Sequence, residues 1–364
     1  MINRNKALLS IIIFLTVIYG ACNSSFFARV LRDHHPEFFY YHIASIVTKD
    51  KKGKMDQQEA IVEYIDHNVF AQLVDQEVYP VIDHPAMDVL LRGVGWCDQV
   101  SDLFIRLIEW KSIRAFDIFL YDFNKDGEKF SPHTVALVVP DGIGNEEYRS
   151  MMGAGGYSNI TDNNESLEGR KVGGVVDALE GVVFRNRDND PATLDDLCQN
   201  NILASQKKYL DLPYSNPQIY CNNPTVWLTN TPLSERPTGS IGLAQNIFPF
   251  LPQKAFHLIH DRILNLGYAK FYPSGFNSDS FIYLKARIYH VTERFDEAIE
   301  LYDEILNKTT DFKTRAACQL FKGMIFVRKK EFANARVQLE SIIESQPPSP
   351  WVGVAKKWAK KIKT

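Results

Sequence analysis

Apolar residues between positions 38 and 111 recur every three or four places, the spacing that gives a helix one apolar face. In the stretch 56–76, Ala60, Ile61, Tyr64, Ile65 and Val69 fall on one side. From Asp98 to Lys111, the residues Val100, Leu103, Phe104, Leu107 and Ile108 form a second such stripe, and a third helix is expected over 38–48. The period then changes. Residues 113–121 (IRAFDIFLY), 133–139 (HTVALVV) and 172–184 (VGGVVDALEGVVF) are dense in β-branched and aromatic residues and bounded by turn formers. Each is expected as a strand. Helices first and strands after give an α+β domain.

Prolines 213, 217, 224, 232, 237, 249 and 252 punctuate residues 211–252, so no single regular element fits there and a wrapping linker is expected. Beyond it the pattern is helical and repeats. Aligning ARIYHVTERFDEAIELYDEIL with GMIFVRKKEFANARVQLESII matches Ala286 to Gly323, Tyr289 to Phe326, Phe295 to Phe332 and Ala298 to Ala335, each pair 37 apart. Small residues let helices approach closely while aromatics fill the groove between pairs, so one unit cannot bury its own face. The pattern resembles tetratricopeptide repeats, with Pro347 at the repeat end and a stretched loop at NKTTD. A last helix with Trp351, Val354, Trp358 and Ile362 on one side reads as a solenoid cap.

Length and composition add boundaries. At 364 residues, with 45% hydrophobic and 23% charged residues, two globular domains are expected. A net charge of -3 gives no sign of a nucleic-acid partner. The start stands apart: the basic head MINRNK precedes 15 apolar residues, ALLSIIIFLTVIYGA, and then Cys22. That is the layout of a secretory signal rather than a full span. The small Gly20 and Ala21 before Cys22 resemble a bacterial lipoprotein signal, although Tyr19 stands where that family prefers leucine. The resemblance implies lipidation at Cys22 and membrane anchoring outside the cytoplasm; an uncleaved anchor and an ordinary cleaved signal are the alternatives. The expected organisation is a leader at 1–22, an α+β domain at 23–210, the linker at 211–252 and helical repeats at 253–364.

The chemistry gathers around GVGWCDQVSD, residues 93–102. Gly93 and Gly95 permit unusual backbone angles, and a helix is expected to start at Cys97, whose thiolate would be favoured by the positive end of the helix dipole. A thiolate nucleophile also needs a base and an orienting acceptor. His133 opens the strand in SPHTVALVV, and Asp177 lies in VVDALEGVVF, where a carboxylate could take the Nδ1–H bond of the histidine. Asp141, in VVPDGIG eight residues past His133, is the rival acceptor but reads better as a hairpin turn. GWCDQVSDLFIRLI, SPHTVALVV and VVDALEGVVF together resemble the cysteine, histidine and aspartate boxes of the transglutaminase-like superfamily, over about residues 55–200. The resemblance implies a papain-related fold, with Cys97 as nucleophile, His133 as base, Asp177 as orienter, and amide hydrolysis or acyl transfer without a cofactor or metal. The family joins its last two boxes by a short hairpin, whereas 43 residues intervene here.

The remaining signals are weaker. Trp96 either shapes a substrate channel or packs, and Gln99 reads as a helix-surface residue rather than an oxyanion donor. DFNKDGEKFSPH imitates a calcium loop at Asp122, Asn124, Asp126 and Gly127, but His133 stands where a bidentate glutamate belongs, so it reads as a turn. Cys198 and Cys221 can pair in an oxidising compartment, while Cys318 reads as core. The other histidines read as surface or packing residues. Two functions follow: an envelope-anchored thiol enzyme acting on a protein or peptide amide, or a non-catalytic lipoprotein scaffold that binds a protein partner through its repeats.

Overall fold

A computed structural model describes residues 25–71, 85–123, 129–143, 173–210, 225–227, 252–264, 278–345 and 349–362. It is a mixture of helix and small sheets, with a helical C-terminal region. The chain opens with helices α1 (Ser25–Val47) and α2 (Lys54–Asn68), then a two-residue strand β1 (Phe70–Ala71). Helix α3 (Pro85–Arg92), strand β2 (Val94–Gly95) and helix α4 (Cys97–Glu109) follow, with β1 and β2 paired in parallel. The apolar stripe from Val100 to Ile108 is fully buried, as its spacing requires.

Next come β3 (Ala115–Phe123), β4 (Lys129–Val138), β5 (Gly174–Asp177) and β6 (Val182–Val183), the short helices α5 (Leu194–Cys198) and α6 (Lys207–Leu210), and β7 (Thr225–Trp227). These make a five-stranded sheet in the order β6-β5-β4-β3-β7, antiparallel throughout. Three expectations change. The helix expected over 56–76 ends at Asn68, where Val69 turns extended at φ -130° and leads into β1. The segment 172–184 is a hairpin rather than one strand, because Gly181 takes a φ of 71° and the Asp177 carboxylate accepts the Glu180 N–H at 3.1 Å, turning the chain between them. The stretch 211–252 also supplies an edge strand, since β7 pairs with β3 through Asp117↔Trp227 to Phe119↔Thr225. Its other residues, apart from Pro252, lie outside the described set. The calcium-like stretch connects β3 to β4, which are paired as far as Phe123↔Lys129; residues 124–128 lie outside the described set.

Helix α7 (Gln253–Arg262) leads to α8 (Ser278–Val291), α9 (Phe295–Lys308), α10 (Phe312–Arg328), α11 (Phe332–Ile343) and α12 (Val352–Ile362). The 37-residue repeat holds in backbone detail. Glu293 and Lys330 both take positive φ, and the next residue of each closes back by Arg294 N–H to Tyr289 C=O and Glu331 N–H to Phe326 C=O, both 2.8 Å. The matched small residues Ala286, Ala298 and Ala335 are buried, and a Cβ on Gly323 would lie 3.0 Å from Leu339.

Period-two alternation along β4 sends Ala136 and Val138 to one face and Val135, Leu137 and Val139 to the other. The second face packs under Leu194, Leu197, Ile202 and Leu210. The first belongs to a cluster that continues through α1–α4 into the repeats as far as Trp351 and Trp358. Helix α12 also packs back on the N-terminal helices, with Lys357 Nζ to Asp66 at 2.8 Å and the Trp358 ring 5.6 Å from that of His67. Among the described residues no helix is long and apolar enough to cross a membrane. The leader 1–22, with Cys22, lies outside them.

Candidate functional site

The site is assembled from the N-terminus of α4, the middle of β4, which begins four residues before His133 rather than at it, and the end of β5. Cys97 is the first residue of α4 and is half-buried, its thiol free. The turn before it is closed by the side chain of Gln99, which accepts the Trp96 N–H at 3.1 Å; Gln99 is therefore a helix cap. One helical turn on, Ser101 Oγ donates to the Thr134 carbonyl at 3.3 Å. Residues four apart share a helix face, so this bond brings Cys97 beside the residue preceding Thr134, which is His133.

His133 is almost fully buried, at 1% exposure, as is Asp177. The β4–β5 pairing runs Val138↔Gly174 to Ala136↔Val176, so Asp177 follows at the end of β5 that lies toward His133. The two side chains meet: His133 Nε2 donates to Asp177 Oδ2 at 2.6 Å. The contact is made through Nε2 rather than the expected Nδ1. The other carboxylate oxygen takes the backbone N–H of Glu180, so the hairpin turn fixes the acceptor as well as the chain direction.

Burial acts against the imidazolium form of His133. The neighbouring Asp177 carboxylate and a hydrogen bond and charge from Cys97 outweigh it, and the ring is pushed up to about 10. His133 is thus cationic at neutral pH. Burial and the same Asp177 carboxylate raise the half-buried Glu180.

Asp141 is elsewhere. It lies in the exposed turn after β4 and forms an ion pair with Lys54, beside a cavity of about 580 Å³ lined by Arg114, Ser112, Pro140 and Gly174. Trp96 is 56% exposed next to the thiol. Cys198 is disulfide-bonded, its partner lying outside the described residues, as do Cys221 and nearly all of the insert at 142–171. Cys318 is buried in α10, where loss of water raises its thiol. No group of three or more metal-ligating side chains occurs among the described residues.

Ser101 escaped the reading of the sequence. The signal was present in its four-residue spacing from Cys97, but only the strand that it bonds gives that spacing a purpose. No protein-family model, curated protein or solved structure matches this chain.

Proposed function

We propose that the chain is a thiol enzyme of the transglutaminase-like class, acting on amide bonds of a peptide or protein at a membrane surface. The observation that carries this is the buried 2.6 Å contact between His133 and Asp177, with Cys97 near enough to the same ring to help raise it. A cation held beside a thiol favours the sulfur anion. The Cys97 sulfur attacks the carbonyl carbon, and its own backbone N–H at the start of α4 faces the developing oxyanion. His133 then gives its proton to the leaving amine as the C–N bond breaks. The thioester is resolved by water, giving an acid, or by a second amine, giving a new amide. Asp177 keeps the ring oriented throughout.

In this reading residues 23–210 form the thiol domain, 253–364 the tetratricopeptide-like unit, and a lipidated Cys22 the anchor. The Cys198 disulfide favours an oxidising compartment outside the cytoplasm. The test is alkylation of Cys97 by iodoacetamide at neutral pH, located by peptide mass spectrometry. Wild type labels faster than His133→Ala; equal rates would overturn the activated-thiolate reading.

A binding scaffold is the second reading, favoured by Phe332 and Val337, which are 43% and 64% exposed on α11. It requires that Cys97→Ala leave the cellular phenotype unchanged, and loss of phenotype in a folded variant rejects it.

A further inference from the structure

Arg287, on α8, is completely buried. Its Nε donates to the Leu91 carbonyl at 2.8 Å, its Nη2 to the Leu90 carbonyl at 2.9 Å, and its Nη1 to His290 Nδ1 at 3.0 Å. The Phe321 ring covers the guanidinium with its centroid 3.6 Å away. Among the described residues no carboxylate pairs with this cation. A buried charge without a counter-ion is costly. Here the offset comes from the negative end of α3, whose last-turn carbonyls it bonds, and from the electron-rich ring face. His290, lowered by burial and by Arg287 itself, is neutral and can accept.

The chain between those carbonyls and Cys97 is held at successive points. Gly93 takes a φ of 76°, and a Cβ there would lie 2.6 Å from Phe321 and 3.3 Å from Arg287 Nη2, so the turn fits against the guanidinium and its ring only as glycine. Gly93 donates its N–H to Val89 and accepts that of Phe70, both at 2.9 Å. Val94 and Gly95 then pair with Phe70 and Ala71, and Trp96 is capped by Gln99. Nothing between the clamp and the thiol is left loose.

We propose that Arg287 is a positioning residue for Cys97: by clamping the end of α3, the first repeat helix sets where α4 begins and therefore where the sulfur stands relative to His133. The proposal rests on the thiol-enzyme reading. It also assigns the repeats a share in building the site rather than a separate task.

The test uses the full chain and the pH profile of Cys97 alkylation by iodoacetamide between pH 5 and 9. Arg287→Met, checked for folding by circular dichroism, is expected to react about tenfold more slowly at neutral pH, as small displacements at a reacting centre do. Its pH profile should depart from that of the wild type. Arg287→Lys keeps the charge but cannot span both carbonyls, and its profile lies between. A folded Arg287→Met with the wild-type rate and profile overturns the proposal while leaving the thiol reading intact. A wild type no faster than His133→Ala overturns both. Should Arg287→Met fail to fold, Phe321→Leu removes the ring from over the guanidinium, and an unchanged profile there rejects the clamp.

Discussion

Two buried imidazole sites in this molecule titrate in opposite directions. At the thiol, His133 sits against the Asp177 carboxylate and is raised to about 10. At the junction of α1 with α7, His260 lies between two further histidines, its Nδ1 2.9 Å from His35 Nε2 and its Nε2 3.0 Å from His42 Nδ1. There burial, with the histidines around it and Arg294, lowers His260 well below its ordinary value, and His42 falls to about 3 by burial and its neighbours His257 and Arg294. Both rings are equally dry, at 1% and 0% exposure. Burial alone therefore does not make a cationic base; one acidic neighbour does. The histidine cluster is a packed, neutral junction stacked on Phe256, whose ring lies 4.7 Å from that of His42.

The sharpest way to break this contrast is Asp177→Asn. With the carboxylate gone, burial governs, and His133 should titrate below its ordinary value, as His260 does. Alkylation of Cys97 at neutral pH should fall by about tenfold, because the sulfur anion loses the cation beside it. NMR titration of the imidazole together with labelling kinetics checks both halves; an unchanged His133 titration would detach it from Asp177.

The two sites should also give stability opposite pH slopes. His133 binds its proton more tightly folded than unfolded, so its contribution is complete below about pH 6.5 and disappears as pH rises through about 10. His42 and His260 bind theirs more weakly when folded, so stability is lost as pH falls below about 6.5, at about 1.4 kcal/mol per pH unit for each. Denaturant melts across pH test this: Asp177→Asn should flatten the alkaline side and, with His133 now lowered by burial, steepen the loss on the acid side, whereas His42→Phe should remove part of the acid side only. Loss of both slopes in either variant would deny that the sites are independent.

The smallest effect belongs to Asp141→Asn. Its ion pair with Lys54 has side chains 75% and 47% exposed, and such pairs are worth about 1 kcal/mol or less. Stability and thiol reactivity should both stay at wild-type values. A large loss of alkylation would return Asp141 to the site.

The helical stripes of α2 and α4, the strands β3 and β4 and the 37-residue repeat were readable because each is a local periodicity: one buried face forces apolar residues to recur at the spacing of the element. Residue types of the candidate site were readable for a related reason, since a thiol at a helix start and a histidine within an apolar strand are local arrangements, although β4 starts four residues before His133 rather than at it. The 172–184 hairpin was not, because Val175, Val176, Val182 and Val183 look like one strand unless the turn between them is known. The edge strand β7 hid among prolines, its three residues given a role only by the Asp117–Phe119 edge that they meet.

Local pattern alone thus gave the stripes of α2 and α4, the strands β3 and β4, the repeat and the residue types Cys97, His133 and Asp177. Only the tertiary structure decided that the carboxylate takes Nε2, that Asp141 stands apart, and that Arg287 from the repeats reaches the helix before the thiol. Those outcomes depend on pairings between residues 44 to 197 positions apart. Local spacing carries no record of them, because register and burial are set by whichever surfaces exclude water together.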